Sequence, residues 1–222
     1  MKPWETLATA RTPDGSDLTL RRHDGEYVIR ADGYDLMVSR MHGSEEAMAR
    51  LACPMLPPKA EVLVGGLGMG YTLRAVLDIL PDDGIATVAE LIPEVVEWNR
   101  GPLGPLADHP LDDPRTRIEM GDVGRLIRNS TARFDAILLD VDNGPDAFTQ
   151  RANSSLYAPG GLVYAHKALK LGGAFAVWST GPVPAFELKL SRAGFAPETH
   201  KVSARGVNRG PRHAVYIGRK PA

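Results

Sequence analysis

The segment Glu61-Val62-Leu63-Val64-Gly65-Gly66-Leu67-Gly68-Met69-Gly70-Tyr71-Thr72-Leu73-Arg74-Ala75-Val76 decides the fold. A compact apolar run enters a glycine turn and leaves as a helical stretch. That order is what nucleotide binding requires, because glycines let a ligand approach backbone N–H groups at a helix N-terminus. A dinucleotide fingerprint asks for G-x-G-x-x-G or Ala, and counted from Gly66 its last position is Tyr71. The spacing here is G-x-G-x-G, which points away from NAD.

Downstream, Ile85 to Ala89 reads as the next strand and ends in Glu90. A carboxylate at a strand tip offers two oxygens in one plane, enough to accept both hydroxyl protons of a ribose. Gly121-Asp122 follows a third strand, where a short carboxylate can accept from an adenine amino group while Val123 packs on the ring. A fourth strand, Phe134 to Leu139, ends in Asp140. Open α/β sheets bind ligands at this carboxyl edge. The candidate ligand-binding residues are therefore Gly66, Gly68, Gly70, Glu90, Asp122, Val123 and Asp140.

Asp140, Asp142 and Asp146 follow one another just beyond the fourth strand. Such carboxylates can hold a cationic amine and accept its proton, and an amine must be neutral to act as a nucleophile. Asp140 and Asp142 are the catalytic candidates; Asp146 reads as a turn residue beside Asn143-Gly144-Pro145. Asp140-x-Asp142-Asn143-Gly144 departs from a calcium loop, since the glycine comes early and the twelfth position is Arg151. No metal is expected. Ser154, Ser155, Tyr157 and the strand-end Trp178 are candidates for lining an acceptor pocket, while His166 reads as an ordinary helix residue.

Around this centre, apolar runs alternate with helix-length amphipathic stretches, the pattern of a parallel sheet covered on both faces. The spacing predicts strands near 61–65, 85–90, 115–120, 134–140 and 173–179, with helices near 71–80, 93–100, 122–129, 161–170 and 184–193. Pro197 to Val202 and Arg212 to Gly218 predict an antiparallel edge hairpin. The predicted fold is Rossmann-like α/β, a mainly parallel seven-stranded sheet with helices on both faces. Upstream, three Asp-Gly turns separate Leu18-Thr19-Leu20, Tyr27-Val28-Ile29 and Leu36-Met37-Val38, which predicts a small β-meander. Ser44 reads as the N-cap of a helix running toward Cys53, with Glu45 and Glu46 in its first turn. The expected division is a meander over residues 1–42 and a catalytic domain over 43–222.

Composition narrows the function classes. The 222 residues carry 26 Lys and Arg against 27 Asp and Glu, so the overall charge gives no reason to expect a nucleic-acid or anionic-membrane partner. The C-terminal cations from Lys201 to Lys220 form a local basic stripe that reads as a solvated hairpin. A single cysteine, Cys53, cannot form an intrachain disulfide or a zinc cluster, which fits a reducing, cytoplasmic setting. No apolar stretch follows Lys2, and no long uncharged apolar run occurs elsewhere; neither export nor a membrane span is expected.

The succession from Val62 to Arg74, then Glu90 with Pro93-Glu94-Val95-Val96, Asp113-Pro114-Arg115, Gly121-Asp122, Phe134 to Asp140 and Leu171-Gly172-Gly173 resembles the spermidine synthase family. The resemblance covers roughly residues 33 to 180. It implies an S-adenosyl ligand, with the ribose on Glu90, adenine on Asp122 and the reacting centre at Asp140 and Asp142. It also implies a small amine-type acceptor and a homodimer. Met69 stands where aminopropyltransferases carry the Asp of their glycine loop, and a thioether cannot neutralise the donor's amino group. The loop after Asp140 is shorter than the family's, and Ser44-Glu45-Glu46 replaces the usual Tyr with His or Gln. On these residues the reading leans toward methyl transfer from S-adenosylmethionine. Aminopropyl transfer from its decarboxylated form to a polyamine stays open, as does a non-catalytic adenosyl-binding module.

Overall fold

A computed structural model describes residues 3–141, 155–205 and 209–221. Two sheets organise them. The first is an antiparallel meander of β1 (Glu5–Arg11), β2 (Asp17–His23), β3 (Glu26–Ala31) and β4 (Tyr34–Val38). The second contains β5 (Glu61–Gly65), β6 (Ile85–Glu90), β7 (Thr116–Met120), β8 (Phe134–Leu139), β9 (Leu169–Ser179), β10 (Ala196–Ser203) and β11 (Arg212–Arg219). Its order is β10-β11-β9-β8-β5-β6-β7, parallel from β9 through β7, with β11 antiparallel to both of its neighbours.

Alternation along the parallel strands divides the core. Val62, Val64, Ala86, Val88, Ala136 and Leu138 face one side, where they meet α1 (Gly43–Ala52), α2 (Tyr71–Leu77), α3 (Pro93–Arg100) and the inner face of the meander through Leu18, Leu20 and Ile29. Leu63, Ala89, Ile137, Leu139, Phe175 and Val177 face the other side and pack on α4 (Val123–Arg128), α5 (Pro159–Ala168) and α6 (Phe186–Arg192). A sheet buried on both faces leaves its strand tips as the place where polar chemistry meets solvent.

Three differences from the sequence reading have physical causes. The meander has an additional first strand, β1, whose residues are mostly exposed, so no apolar alternation marks it. Helix α1 begins one residue before Ser44, with His42 at the cap, and Ser44 is fully buried. Its hydroxyl faces Glu45 and His213 instead of closing the helix end. Helix α5 ends at Ala168 and β9 begins at once. The amine of Lys220 there meets the carbonyls of His166 and Leu169, satisfying acceptors that a helix C-terminus leaves open. Arg219 likewise meets the Leu51 carbonyl, so part of the C-terminal basic stripe is structural. No helix among the described residues is long and apolar enough to cross a membrane.

Candidate functional site

Strand pairing continues past the strand ends and fixes the candidate residues. The Gly66 amide donates to the Ala89 carbonyl (2.9 Å), the Asp140 amide to Gly65 (3.0 Å) and the Gly121 amide to Glu90 (2.8 Å). Gly66 has φ of 86°, and a Cβ there would lie 2.7 Å from the Asp140 carbonyl oxygen, a backbone atom that cannot yield. Only glycine fits at this turn. Gly70, at φ 84°, is the N-cap of α2.

A cavity of about 480 Å³ opens over these tips, between the large sheet and the meander. Gly66, Gly68, Glu90, Asp122, Val123 and Asp140 all line it. Gly70 does not; a Cβ there would point at Asn99 and Pro110, so its role is to turn the chain into α2. Asp142 lies outside the described residues, as do Asp146 and Ser154. Tyr157 is buried against Phe186, its hydroxyl 3.3 Å from the Val141 carbonyl, and is absent from the lining. His166 packs edge-on against Phe195, away from the cavity. Trp178 lines the cavity, its ring edge against His213, and its indole N–H has no hydrogen-bond partner among the described residues.

The carboxylates differ in their partners. Glu90 accepts from Leu67 N–H (2.9 Å) on one oxygen and from Leu91 (2.8 Å) and Ile92 (2.9 Å) on the other. An ionised carboxylate has about four acceptor sites, so one remains, on the oxygen nearer the glycine loop. Burial pushes the Glu90 pKa up while these three N–H donors pull it back. Asp122 caps α4 through Gly124 N–H (2.8 Å), leaving its other oxygen to a long contact with Arg128 (3.4 Å). Asp140 accepts from the Thr72 hydroxyl (2.7 Å), and burial raises its pKa.

Sequence reasoning missed three contributors. Met37 of β4 reaches across the cavity, its sulfur 3.2 Å from the Met69 amide and close to where a Gly68 Cβ would lie. Glu45, read as a helix-dipole residue, is instead buried in the cavity wall. Its pKa is pushed up to about 8, first by burial and then by the charge of Asp140. His213, from the far end of the chain, completes the wall, and burial lowers its pKa. No motif could have announced the Ser44–His213 contact, which joins residues 169 positions apart.

The wall is acidic. The described lining residues include five acids, Asp35, Glu45, Glu90, Asp122 and Asp140, and one Arg, Arg40, which is held by Glu26 at 2.8 Å; Asp35 meets Arg30 and Asp122 meets Arg128 from behind the wall. A wider depression of about 760 Å³ at the opposite sheet edge carries Lys59, Arg133 and Lys170, the last two paired with Glu61 and Asp135. Among the described residues there is no cluster of His, Cys, Asp and Glu able to hold a metal ion.

No family profile matches the chain. A stretch of 94 residues, 40% of the chain, is 32% identical to polyamine aminopropyltransferase 1 of Streptomyces coelicolor, and covers 17% of that protein. The spermidine synthase from Thermotoga maritima superposes with a TM-score of 0.76 at 21% identity, over 97% of this chain and 72% of that one. A spermidine synthase in complex with the transition-state analogue AdoDATO gives 0.75 over the same shares. The chain has the spermidine synthase fold. A probable spermidine synthase from Corynebacterium glutamicum also matches, at a TM-score of 0.62 and 16% identity, over 99% of this chain and 81% of that one. The resemblance seen in the glycine loop and strand-tip acids thus extends to the meander and the edge hairpin of the spermidine synthase fold.

Proposed function

We propose that this chain is an S-adenosyl-dependent transferase that moves an aminopropyl group from decarboxylated S-adenosylmethionine to an amine of the polyamine class. The observation that carries the proposal is the convergence of Gly66, Gly68, Glu90, Asp122 and Asp140 on one cavity at the strand tips. In this reading the ribose hydrogen-bonds to the free site on Glu90, adenine lies against Val123 and Asp122, and the donor's sulfonium-linked carbon faces Asp140. The acceptor nitrogen gives a proton to Asp140, its lone pair forms the new N–C bond, and the C–S electrons return to sulfur as the nucleoside thioether leaves. Alignment supplies most of the rate, since a sulfonium is already an activated leaving group.

The methyl-transfer reading rested on Met69, which is fully buried and offers no carboxylate to the donor. Two considerations outweigh it. The curated relative is a polyamine aminopropyltransferase. Also, S-adenosylmethionine carries an α-carboxylate, and the one Arg among the described lining residues, Arg40, is already held by Glu26 and is not free to receive it, whereas the carboxyl-rich wall suits a carboxylate-free ammonium tail.

Calorimetry with S-adenosylmethionine, its decarboxylated form, 5′-methylthioadenosine and S-adenosylhomocysteine tests the choice. The decarboxylated donor and methylthioadenosine are expected to bind roughly tenfold or more tighter than the two carboxylate-bearing ligands, a difference of about 1.4 kcal/mol. The opposite order restores methyl transfer, and no binding of any of them removes the transferase reading.

A further inference from the structure

Asn99, in the last turn of α3, is 1% exposed and stands behind the glycine loop, outside the cavity lining. Its Nδ2 group spends both hydrogens on carbonyls: one bond runs to Val95 of its own helix (2.9 Å), and the other crosses to Gly68 (2.8 Å). The first fixes the side chain on α3; the second holds the loop. Both partners are acceptors only, so the amide must turn its NH2 end to them. Its Oδ1 is then left buried with no hydrogen-bond partner among the described residues. A stranded buried acceptor lowers stability, and an apolar side chain would avoid that loss. Asn99 therefore has the character of a group kept for where it places its neighbour.

Helix α3 touches the glycine loop and its acid from both ends. At its start the amides of Leu91 and Ile92 donate to one oxygen of Glu90, whose other oxygen accepts from the Leu67 amide. At its end Asn99 donates to the next loop residue, Gly68. From the cavity side the Met69 amide donates to the Met37 sulfur (3.2 Å). Glu90 and Met37 line the cavity and meet whatever enters it; Asn99 does not, so its hold on the loop survives the arrival of a ligand. Gly70 belongs to the same arrangement. A Cβ there would lie 3.0 Å from Asn99 Oδ1 and 3.0 Å from Pro110 Cγ, so the third glycine leaves room for the side chain that braces the second.

We propose that Asn99 is a positioning residue for the nucleoside: its hydrogen bond to Gly68 sets the glycine loop against Glu90, and with it the affinity for every adenosyl ligand. This rests on the transferase reading above and names a residue of that site which touches neither substrate. With the bond in place, Gly68 and the free acceptor site of Glu90 are held in register before a ligand arrives, and little ordering remains to be done on binding. Without it the Gly68 carbonyl loses its donor and the loop is free to shift between ligand-free and ligand-bound positions. The effect falls on binding of the nucleoside, which is common to ground state and transition state, and less on the transfer step itself.

Two variants test it. Asn99→Ala removes both bonds, whereas Asn99→Ser keeps a hydroxyl that can donate to the Val95 carbonyl one turn back and is too short to reach Gly68. In calorimetry with 5′-methylthioadenosine both are expected to bind roughly tenfold more weakly than the parent. With decarboxylated S-adenosylmethionine and putrescine, the KM for the donor should rise by a similar factor and kcat should change less. A merely structural Asn99 predicts the reverse, because loss of folded chain lowers the apparent kcat and leaves KM where it was. In the ligand-free chain, amide exchange at Leu67 and Met69 should quicken about tenfold relative to Val64 of β5. Variants that bind methylthioadenosine as tightly as a binding-competent parent, or whose loop amides exchange at the parent's rate, overturn the role of Asn99 and leave the transferase reading standing. A parent chain that binds no methylthioadenosine overturns both.

Discussion

Glu90→Ala should weaken every S-adenosyl ligand by a similar factor, on the order of 10- to 100-fold, because all of them share one ribose and each loses a charge-assisted hydrogen bond worth about 1.5–3 kcal/mol. The same change strands the amides of Leu67, Leu91 and Ile92, which the Glu90 carboxylate now satisfies. Stability therefore falls as well. Glu90→Gln lessens the second effect, since its carbonyl oxygen can still accept from Leu91 and Ile92 while the negative charge is gone and only the Leu67 amide loses its acceptor. Calorimetry with methylthioadenosine reads the affinity and thermal melting reads the fold. Unchanged affinity in both variants removes Glu90 from the site.

Asp140→Asn should abolish most turnover while leaving the nucleoside in place. A positioned proton acceptor contributes typically 10²- to 10⁴-fold to rate, so kcat is expected to fall by at least about 100-fold. The amide oxygen of Asn can still accept from the Thr72 hydroxyl, which preserves the local packing. Methylthioadenosine affinity should stay within about twofold. Full activity in this variant would sink the acid–base role, and an inert parent chain that nonetheless binds nucleoside would favour the non-catalytic module.

The parallel half of the sheet could be read from sequence because β5, β6 and β8 contain the uncharged runs Val62 to Val64, Ile85 to Ala89 and Ala136 to Leu139, each of which stops at a glycine or an acid. The candidate binding residues stand at or just past those stops, so the fold and the proposed nucleoside cradle were written in neighbouring positions. Glu90 and Asp122 sit at strand tips as their spacing implied, although each is partly consumed by local backbone donors. Gly70 shows the limit of the motif, for the third glycine serves the helix start and not the cavity. The wall formed by Glu45, His213 and Met37 was not legible. Glu45 looks like an ordinary first-turn acid until α1 packs on α2 and the sheet, and only then does Asp140 come to face it. His213 and Met37 enter from opposite ends of the chain through tertiary contacts that no local pattern encodes. Strand β1 escaped for a different reason: an exposed edge strand buries too little to leave an apolar period.

The match to the curated relative spans 17% of that protein's length, which makes a direct view of the ligand decisive. A crystal structure of the chain with 5′-methylthioadenosine tests the central claim. The nucleoside should lie over Gly66 and Gly68, its ribose on Glu90, its base against Val123 and its thioether turned toward Asp140. An adenosine bound elsewhere, or a cleft still filled by Met37 with no ligand density, would contradict it.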